Sequence, residues 1–511
     1  MDAAVFCCLL ALLPLVHYLI TLFLHGSRDS DLRLPPGPWR LPLIGSLHHL
    51  FFGALPHRAL RDLARRHGPL MLLAFGDAPV VVVASTAAAA REILRTHDDN
   101  FSSRPLSAVV KACTRRGAGI TFAPYGEHWR QVRKICRLEL LSPRRILAFR
   151  AIREEEAARL VRAIGVASPP LVTNLSQLLG NYVTDTTVHI VMGERFRERD
   201  ALLRYVDEAV RLAGSLTMAD LFPSSRLAHA MSSTTLRRAE AFVESLMEFM
   251  DRVIREHLEK KRSCQGGERE EDLIDVLLRL QAEGSLHFEL TMGIIRAVIF
   301  VSSFMLLSSC HEFETATTTL QWAMAELMRN PGVMSRAQAE VREAYKDKME
   351  VTEEGLTNLT YLQCIIKETL RLHTPGPLAL PRECQEQCRI LGYDIPKGAT
   401  VLVNVWAICT DTEFWDESEK FMPERFEGST IEHKGNNFEF IPFGAGRRIC
   451  PGMQFGIANI ELALANLLFH FDWTLPEGTI HSDLDMTETM GITARRKEDL
   501  YVHATPFVQL P

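Results

Sequence analysis

A cysteine in a glycine-rich loop near the carboxyl end carries the strongest chemical signal. The segment Phe443–Gly452 reads FGAGRRICPG and precedes an apolar helical pattern. Gly444 and Gly446 allow tight turns close to a flat partner, and Pro451 suits the first position of a helix. Because the N–H groups and dipole of a helix N-terminus favour negative charge, the position predicts a Cys450 thiolate. Taken alone, a cysteine is more often a small buried hydrophobic side chain, but the glycines, Arg448 and the helix start together favour the functional interpretation.

Two other residue pairs have helical spacing. Glu368 and Arg371 lie three apart, and Trp129 and Arg133 lie four apart, so each pair shares one helix face. The first pair could be a surface ion pair worth under about 1 kcal/mol. The second could simply be an amphipathic helix with a buried tryptophan. Spacing alone does not decide between these structural interpretations and functional ones.

The second of these helices also carries a basic stripe. Arg130, Arg133, Lys134 and Arg137 follow one another at helical spacing. The stripe is either a solvated helix face or a docking site for an acidic partner.

Hydrophobic periodicity indicates a mainly helical body with a small β portion. A hairpin is predicted where two apolar runs, Leu70–Phe75 and Ala78–Ala84, flank Gly76-Asp77. Further strands are expected at Arg389–Tyr393, Thr400–Val405 and Thr493–Val502. The predicted helices are Arg144–Ile164, Asp200–Ala213, Thr235–Lys261, Leu273–Ala282, Leu320–Arg329 and Pro331–Lys346.

Composition excludes several classes of protein. The 511 residues include 57 basic and 63 acidic ones, a formal charge of −6, with 47% hydrophobic and 23% charged residues. These values are typical of globular chains and not of disordered ones. The acidic balance argues against nucleic acid as a partner. Eleven sparse cysteines favour reduced cytosolic thiols over a disulfide scaffold.

The amino terminus predicts a membrane anchor. Ala3–Leu24 holds 22 residues without a formal charge, enough for a helix across a bilayer. A cleaved signal peptide, the alternative, usually has a shorter apolar region and a basic start. Leu34–Pro38 (LPPGP) then predicts a stiff, extended tether. We therefore expect a transmembrane anchor at 1–25, a Pro-rich tether at 26–38 and a catalytic domain at 39–511.

The cysteine loop resembles the haem-binding loop of the cytochrome P450 family, plant microsomal type. The pattern FxxGxRxCxG is matched at Phe443, Gly446, Arg448, Cys450 and Gly452. The resemblance implies the cytochrome P450 fold and haem b (iron protoporphyrin IX) as cofactor. It makes Cys450 the axial ligand of the iron, the metal-binding residue, with Phe443 in the haem-binding loop.

The same resemblance assigns roles to the other pairs. Arg425, in Pro423-Glu424-Arg425-Phe426, is expected to join Glu368 and Arg371 in a structural triad. Trp129 and Arg133 match the family's WxxxR, whose residues contact a haem propionate. Arg382 and Arg448 resemble the remaining propionate contacts, for which the planar guanidinium is suited.

The helix on the oxygen side departs from the family. The resemblance places the catalytic acid and alcohol at Glu314 and Thr315, which would deliver protons to bound oxygen. The family has small residues just before them, whereas this chain has His311, Glu312 and Phe313. Val301–Phe313 also exceeds the family length. His311 could face the iron or pack at a distorted helix, and the segment could reflect a splice-altered product.

The implied activity is that of a membrane-anchored haem-thiolate monooxygenase. It would oxidise a small hydrophobic metabolite such as a terpenoid, with O2 and electrons from NADPH through NADPH-cytochrome P450 reductase. The location would be the endoplasmic reticulum membrane, with a single span and a cytosolic catalytic domain. Reductase-independent rearrangement or dehydration, and a non-catalytic or impaired haem protein, are the alternatives. Substrate contacts are expected at Ser102–Thr121, Leu216–Phe222, Gly376–Leu380 and Met490–Ile492.

Overall fold

The structure is mainly helical. The computed structural model describes residues 32–51, 55–113, 120–166, 172–193, 198–263, 271–284, 290–296, 298–299, 315–348, 350–491 and 493–509. Within these residues a few short segments of 3-10 or π-helix accompany the α-helices. The α-helices are α1 (His48–Phe51), α2 (Pro56–His67), α3 (Ala87–Arg91), α4 (Ala108–Cys113), α5 (Glu127–Ile135), α6 (Pro143–Ala148), α7 (Arg150–Val166), α8 (Leu175–Met192), α9 (Arg199–Ala213), α10 (Met218–Leu221), α11 (Arg226–Ser263), α12 (Leu273–Glu283), α13 (Thr315–Arg329), α14 (Pro331–Ala344), α15 (Thr360–Leu372), α16 (Val405–Cys409) and α17 (Met453–His470).

Helix α17, which follows the cysteine loop, lies at the centre of the main core. It packs against α7, α13, α14 and α15, and its residues from Ile460 to His470 are buried apart from partly exposed Glu461. A helix enclosed by other helices must be apolar on nearly all sides, which explains its run of leucines and alanines. The end of the cysteine loop is thereby fixed to a helix that other helices enclose.

The strands form small sheets at the edges of the helical body. One sheet has the order β1-β2-β7-β4, in which β1 and β2 form an antiparallel hairpin and β2 and β7 run parallel. The register Arg382↔Val401 pins β4 against β7, so this sheet positions Arg382. The strands are β1 (Leu70–Leu73), β2 (Val81–Ala84), β3 (Thr173–Asn174), β4 (Arg382–Glu383), β5 (Cys388–Ile390), β6 (Tyr393–Ile395), β7 (Thr400–Val403), β8 (Phe471–Thr474), β9 (Glu488–Met490), β10 (Ala494–Arg496) and β11 (Tyr501–Pro506).

Most predicted elements are confirmed, with several differences. The single strand predicted at Arg389–Tyr393 is instead the hairpin β5–β6, with Leu391 and Gly392 in the turn. Helix α13 is described from Thr315, five residues before the predicted start at Leu320. The predicted helix Arg144–Ile164 is two helices, α6 and α7, that meet at Phe149, whose backbone conformation (φ −85°, ψ 8°) ends α6. Helix α11 begins at Arg226, nine residues before the predicted start. The strand predicted at Thr493–Val502 is two strands, β10 and β11, which belong to different sheets.

The proline-rich segment is extended where the structure describes it. Residues 32–40 contain no helix or strand. The Leu72 backbone N–H donates to the Pro36 carbonyl at 2.8 Å, and Asp394 N donates to the Arg33 carbonyl at 2.7 Å. The tether is thus fastened to the body. The predicted anchor, residues 1–25, lies outside the described residues, and within those residues no helix has the length and apolar character needed to span a bilayer.

Candidate active site

The cysteine loop has the tight turns that its glycines predict. Gly444 and Gly446 both have φ of +71°, in the left-handed region that favours glycine. A Cβ atom on Gly446 would lie 2.2 Å from the Leu94 carbonyl oxygen, so no other residue fits there without moving the backbone. The Cys450 N–H donates to the Phe443 carbonyl at 3.0 Å and closes the loop.

Cys450 lies at the end of this loop and is largely enclosed by protein. The residue is partly accessible to solvent although protein surrounds its sulfur on all sides. Burial raises the pKa of the Cys450 thiol, whereas the N–H groups of Gly452 and Met453 and the charge of Arg133 oppose this shift. The following helix begins at Met453 and not at Pro451, because Pro451 and Gly452 form a turn. The N–H groups at the start of this helix do favour negative charge at the sulfur, as predicted, but burial outweighs them, so the predicted thiolate is not favoured by these N–H groups alone.

Arg382 reaches the loop from strand β4. Its Nη2 donates to the Ala445 carbonyl at 3.1 Å, and its Nη1 lies 3.5 Å from Asp98 Oδ1. Burial lowers the pKa of Arg382 to about 10, although Asp98 opposes the shift. The sheet and the cysteine loop are therefore joined by a buried, incompletely neutralised cation.

Arg448 points inward from the loop and is surrounded by backbone carbonyls. Its Nε donates to Ser102 O at 2.7 Å and its Nη1 to Ile120 O at 3.0 Å. Burial, together with the charges of Arg382 and Arg133, lowers the pKa of Arg448 to about 9. Its guanidinium lies 4.4 Å from the centre of the Trp129 ring, a cation–π contact that partly offsets the burial.

Helix α5 brings Trp129 and Arg133 to the same place. Trp129 is buried, and its Nε1 donates to the Ile120 carbonyl at 3.0 Å. Arg133 Nη2 donates to the carbonyl of Ile449, next to Cys450. Both residues therefore lie beside the cysteine loop, but the only N–H group of the Trp129 side chain already donates to Ile120. The contact of both residues with a haem propionate stays a prediction.

Arg104 belongs to the same cluster, and the sequence analysis did not single it out. Its Nε donates to Thr121 O at 2.8 Å and its Nη1 to Leu380 O and Pro381 O at 2.9 Å. Its pKa is well below the ordinary value because of burial and the charges of Arg382, Arg448 and Arg133. No local pattern marks this arginine, since the carbonyls that hold it come from distant segments.

The cluster Arg104, Arg133, Arg382 and Arg448 has an excess of positive charge. Among the described residues, Asp98 supplies the carboxylate that faces Arg382 and Arg448 in this cluster. The Asp98 carboxylate also accepts a hydrogen bond from the Arg447 backbone N–H at 2.8 Å. Mutual repulsion contributes to the lowered pKa values of Arg104 and Arg448. An anionic ligand would relieve that repulsion, and the two propionates of haem have the required charge and geometry for guanidinium partners. The four arginines are therefore suited to bind the propionates of haem.

The triad predicted from ExxR is confirmed. Glu368 and Arg371 are both fully buried, and Arg371 Nε and Nη2 donate to the two Glu368 oxygens at 2.7 and 2.9 Å. Arg425 Nε donates to Glu368 Oε1 at 3.0 Å, and Met422 N donates to the same oxygen at 2.9 Å. The group links α15 to the loop before the cysteine segment, as a structural role requires.

Of the predicted acid–alcohol pair, Glu314 and Thr315, only Thr315 lies among the described residues. Thr315 begins helix α13, is exposed, and its carbonyl accepts a hydrogen bond from the Thr319 hydroxyl at 2.7 Å. Glu314, His311 and the rest of Val301–Phe313 lie outside the described residues. The expectations for them stay predictions.

The basic stripe has three members, not four. Arg130, Lys134 and Arg137 are exposed on α5 and the turn that follows it. Arg133 instead turns toward the cysteine loop, where its hydrogen bond to Ile449 holds it. The exposed residues therefore form a cationic surface directly outside the arginine cluster.

The β9–β10 hairpin carries part of the predicted substrate contacts. Glu488 anchors it, because its oxygens lie 3.1 Å from His57 Nε2 and 2.9 Å from Arg58 Nη2. Burial alone would raise the pKa of Glu488, but the hydrogen bonds from His57 and Arg58 outweigh it and lower the pKa to about 2. Met490 Sδ lies 3.5 Å from His57 Nδ1. Ile492 lies outside the described residues.

The other predicted substrate stretches have structural contacts of their own. The carbonyls of Ser102, Thr121 and Leu380 accept hydrogen bonds from the arginine cluster. In Leu216–Phe222, the Leu221 carbonyl accepts from Asp77 N at 2.9 Å, so this stretch lies against the β1–β2 turn. Contact with a substrate stays a prediction for all of them.

A helical body that places a cysteine thiol beside a cluster of arginines is the arrangement expected of a haem-thiolate protein. A sequence model described as Cytochrome P450 matches residues 35–501. This chain belongs to the cytochrome P450 family, whose members are oxidoreductases that carry haem b and incorporate an oxygen atom from O2 into their substrates.

Curated relatives cover nearly the whole chain. Zealexin A1 synthase of Zea mays is 46% identical over 477 residues, which are 92% of each protein. Premnaspirodiene oxygenase of Hyoscyamus muticus is 45% identical, over 94% of each. Desmethyl-deoxy-podophyllotoxin synthase of Sinopodophyllum hexandrum is 45% identical, over 96% of this chain and 95% of the relative.

Solved structures confirm the fold. A Zebra fish cytochrome P450 structure with progesterone superposes with a TM-score of 0.73 at 26% identity. The superposition covers 89% of this chain and 100% of the zebra fish chain. The mainly helical cytochrome P450 fold with a small β portion is thereby established.

Proposed function

We propose that this protein is a plant-type monooxygenase that oxidises a small hydrophobic specialised metabolite, with terpenoids as the first class to test. Two relatives, named Zealexin A1 synthase and Premnaspirodiene oxygenase, support this substrate class. A hydrophobic guest also agrees with the mixed, largely apolar stretches Gly376–Leu380 and Met490–Ile492.

Cys450 is the residue we assign as iron ligand, and Phe443 closes its loop. Arg104, Arg133, Arg382 and Arg448 hold the propionates, while Trp129 packs on Arg448 and orients it. When bound, haem supplies the iron centre at which O2 is activated. The observation that carries this proposal is the position of Cys450 beside a cluster of four arginines, of which Asp98 faces Arg382 and Arg448.

Thr315 and Glu314 are the residues we assign to proton delivery. A hydroxyl at the start of α13 can accept and pass on a proton, and a neighbouring carboxyl can replenish it. Replacing Thr315 by alanine is therefore expected to lower the share of consumed NADPH that appears as product. Replacing Thr319, one turn further along α13, serves as the control and should leave that share unchanged.

Electrons are proposed to come from NADPH through NADPH-cytochrome P450 reductase. The exposed residues Arg130, Lys134 and Arg137 form the surface proposed to receive this acidic partner. Residues 1–25 are proposed as a single span in the endoplasmic reticulum membrane, with the catalytic domain cytosolic. Their apolar, uncharged sequence between Ala3 and Leu24 supports this.

The decisive assay is turnover in membranes that contain the protein and the reductase. A panel of sesquiterpene and diterpene hydrocarbons is incubated with NADPH and isotopically labelled O2. We expect a product that contains labelled oxygen and forms only with both NADPH and reductase. Turnover without reductase would instead identify a rearranging or dehydrating enzyme, and a haem-loaded protein that oxidises no member of the panel would contradict the terpenoid proposal.

A further inference from the structure

Asp98 is a buried acid at the point where the cysteine loop, strand β4 and the segment after α3 meet. Its side chain is only 8% exposed. It follows the π-helical turn Glu92–Thr96, which continues α3 without a break. Single π-helical turns within α-helices occur frequently at functional sites. The proposed iron ligand and propionate contacts give this carboxylate no role in the reaction.

One oxygen of Asp98 binds the backbone of the cysteine loop. Oδ2 accepts hydrogen bonds from the Arg447 backbone N–H at 2.8 Å and from Arg447 Nη1 at 3.1 Å. The adjacent Gly446 approaches so closely that a Cβ atom there would lie 2.6 Å from Asp98 Oδ1 and 2.2 Å from the Leu94 carbonyl oxygen. The cysteine loop therefore rests on Leu94 and Asp98 at the turn that leads to Cys450.

The other oxygen of Asp98 faces Arg382. Oδ1 lies 3.5 Å from Arg382 Nη1, and the arginine side chain is only 7% exposed. Arg382 Nη2 in turn donates to the Ala445 carbonyl at 3.1 Å, so the acid and the arginine hold neighbouring parts of one loop. Water screens such buried charges less than exposed ones. Asp98 thus offsets part of the positive charge of the arginine cluster.

The segment that carries Asp98 is fastened on its far side as well. Asn100 Nδ2 donates to the Glu386 carbonyl, and the Glu386 N–H donates to Asn100 Oδ1, both at 2.7 Å. The Asp98 carbonyl accepts a hydrogen bond from the Ser102 hydroxyl, and the Ser102 carbonyl accepts one from Arg448 Nε at 2.7 Å. These bonds hold the carboxylate in place against the loop.

We propose that Asp98 is a positioning residue of the haem site, which seats the cysteine loop so that Cys450 stays on the iron and whose charge lowers the reduction potential of that iron. The first effect comes from the hydrogen bond to the Arg447 backbone. The second comes from electrostatics, because a nearby anion stabilises ferric haem, which carries one more positive charge than ferrous haem. This inference rests on the proposed role of Cys450 as iron ligand.

A redox titration of the full-length, haem-loaded protein tests the effect of the charge. Asp98→Asn removes the charge but keeps an oxygen that can accept the bond from Arg447. Asp99→Asn is the matched control, because Asp99 carries the same charge one residue away and is exposed, so that water screens it. At a fixed potential we expect several-fold more ferrous haem relative to ferric haem in Asp98→Asn and no change in Asp99→Asn. An unchanged ratio in Asp98→Asn, or an equal rise in both variants, would overturn the proposal.

The seating of the loop is measured by the carbon monoxide difference spectrum during incubation in dilute urea. The thiolate band disappears as Cys450 leaves the iron. We expect Asp98→Ala, which lacks both the charge and the acceptor, to lose this band at least fivefold faster than the wild type. Equal rates would overturn the proposal. A wild type that never shows the thiolate band would refute the iron ligand and this inference together, whereas a normal wild-type band with unchanged variants would refute this inference alone.

Hydrogen exchange in the wild type tests the same contact without a substitution. We expect the Arg447 amide of the haem-loaded protein to exchange at least tenfold more slowly than in the unfolded chain, because a buried carboxylate accepts its hydrogen bond. Exchange of this amide at the rate of the unfolded chain would overturn the proposal, even where a variant of Asp98 does not fold.

Discussion

Replacing Glu368 by glutamine leaves two buried arginines without their negative charge. Four N–H donors converge on this carboxylate, from Arg371, Arg425 and the Met422 backbone, and both Glu368 and Arg371 have side chains that are 0% exposed. Removing one partner of such a pair costs about 3–5 kcal/mol, because the remaining charge stays desolvated. We therefore expect Glu368→Gln to lower the free energy of unfolding by that amount.

The measurement is urea unfolding followed by tryptophan fluorescence, on the variant and on a matched control. Glu419→Gln removes a carboxylate that is 69% exposed and paired with Arg61, so its cost should be at most about 1 kcal/mol. Equal losses for the two variants would refute the argument from burial. Adding Arg371→Met to Glu368→Gln should cost less than the sum of the single changes, because it removes one uncompensated charge.

Three further predictions concern charge. The pKa of Glu488 is lowered to about 2 from an ordinary 4.5, because the folded protein favours the ionised carboxylate. Above pH 4.5 this preference stabilises the fold by about 3 kcal/mol, and the contribution is lost as pH falls toward 2. The free energy of unfolding should therefore fall less steeply between pH 4.5 and pH 2 in Glu488→Gln than in the wild type. An unchanged pH dependence would contradict the role of Glu488 in anchoring the β9–β10 hairpin. Arg448→Leu should lose bound haem at least tenfold faster in transfer to apomyoglobin, and a wild-type rate would exclude the propionate role. Arg137→Glu should raise the apparent KM for reductase several-fold at low salt and less at high salt. Lys346→Glu, at an exposed position in the turn after α14, should not raise this KM, and equal effects of the two substitutions would argue against a docking surface.

The sequence predicts the cysteine loop well because its determinants are local. The left-handed turns at Gly444 and Gly446 and the charge-stabilising N–H groups after Cys450 come from ten consecutive residues. The ExxR pair is equally local, and its third member, Arg425, came from the family resemblance. Helical periodicity likewise located the long helices, although it passed over the break at Phe149.

What the sequence could not predict depends on contacts between distant segments. Arg104 is held by the carbonyls of Leu380 and Pro381, 276 and 277 residues away. The inward turn of Arg133, out of the basic stripe, depends on Ile449 in the folded loop. The Trp129 N–H finds its partner in Ile120, in an irregular segment with no periodic pattern. In each case a backbone carbonyl decides the role, and periodicity does not locate such partners.

The identity of the iron ligand tests the account most directly. The measurement is the carbon monoxide difference spectrum of the reduced protein for the wild type, Cys450→Ser and Cys364→Ser, with haem content determined separately. We predict the band of thiolate-ligated haem in the wild type and in Cys364→Ser, and its absence in Cys450→Ser even where haem is retained. A Cys450→Ser protein that keeps the thiolate band would contradict the account.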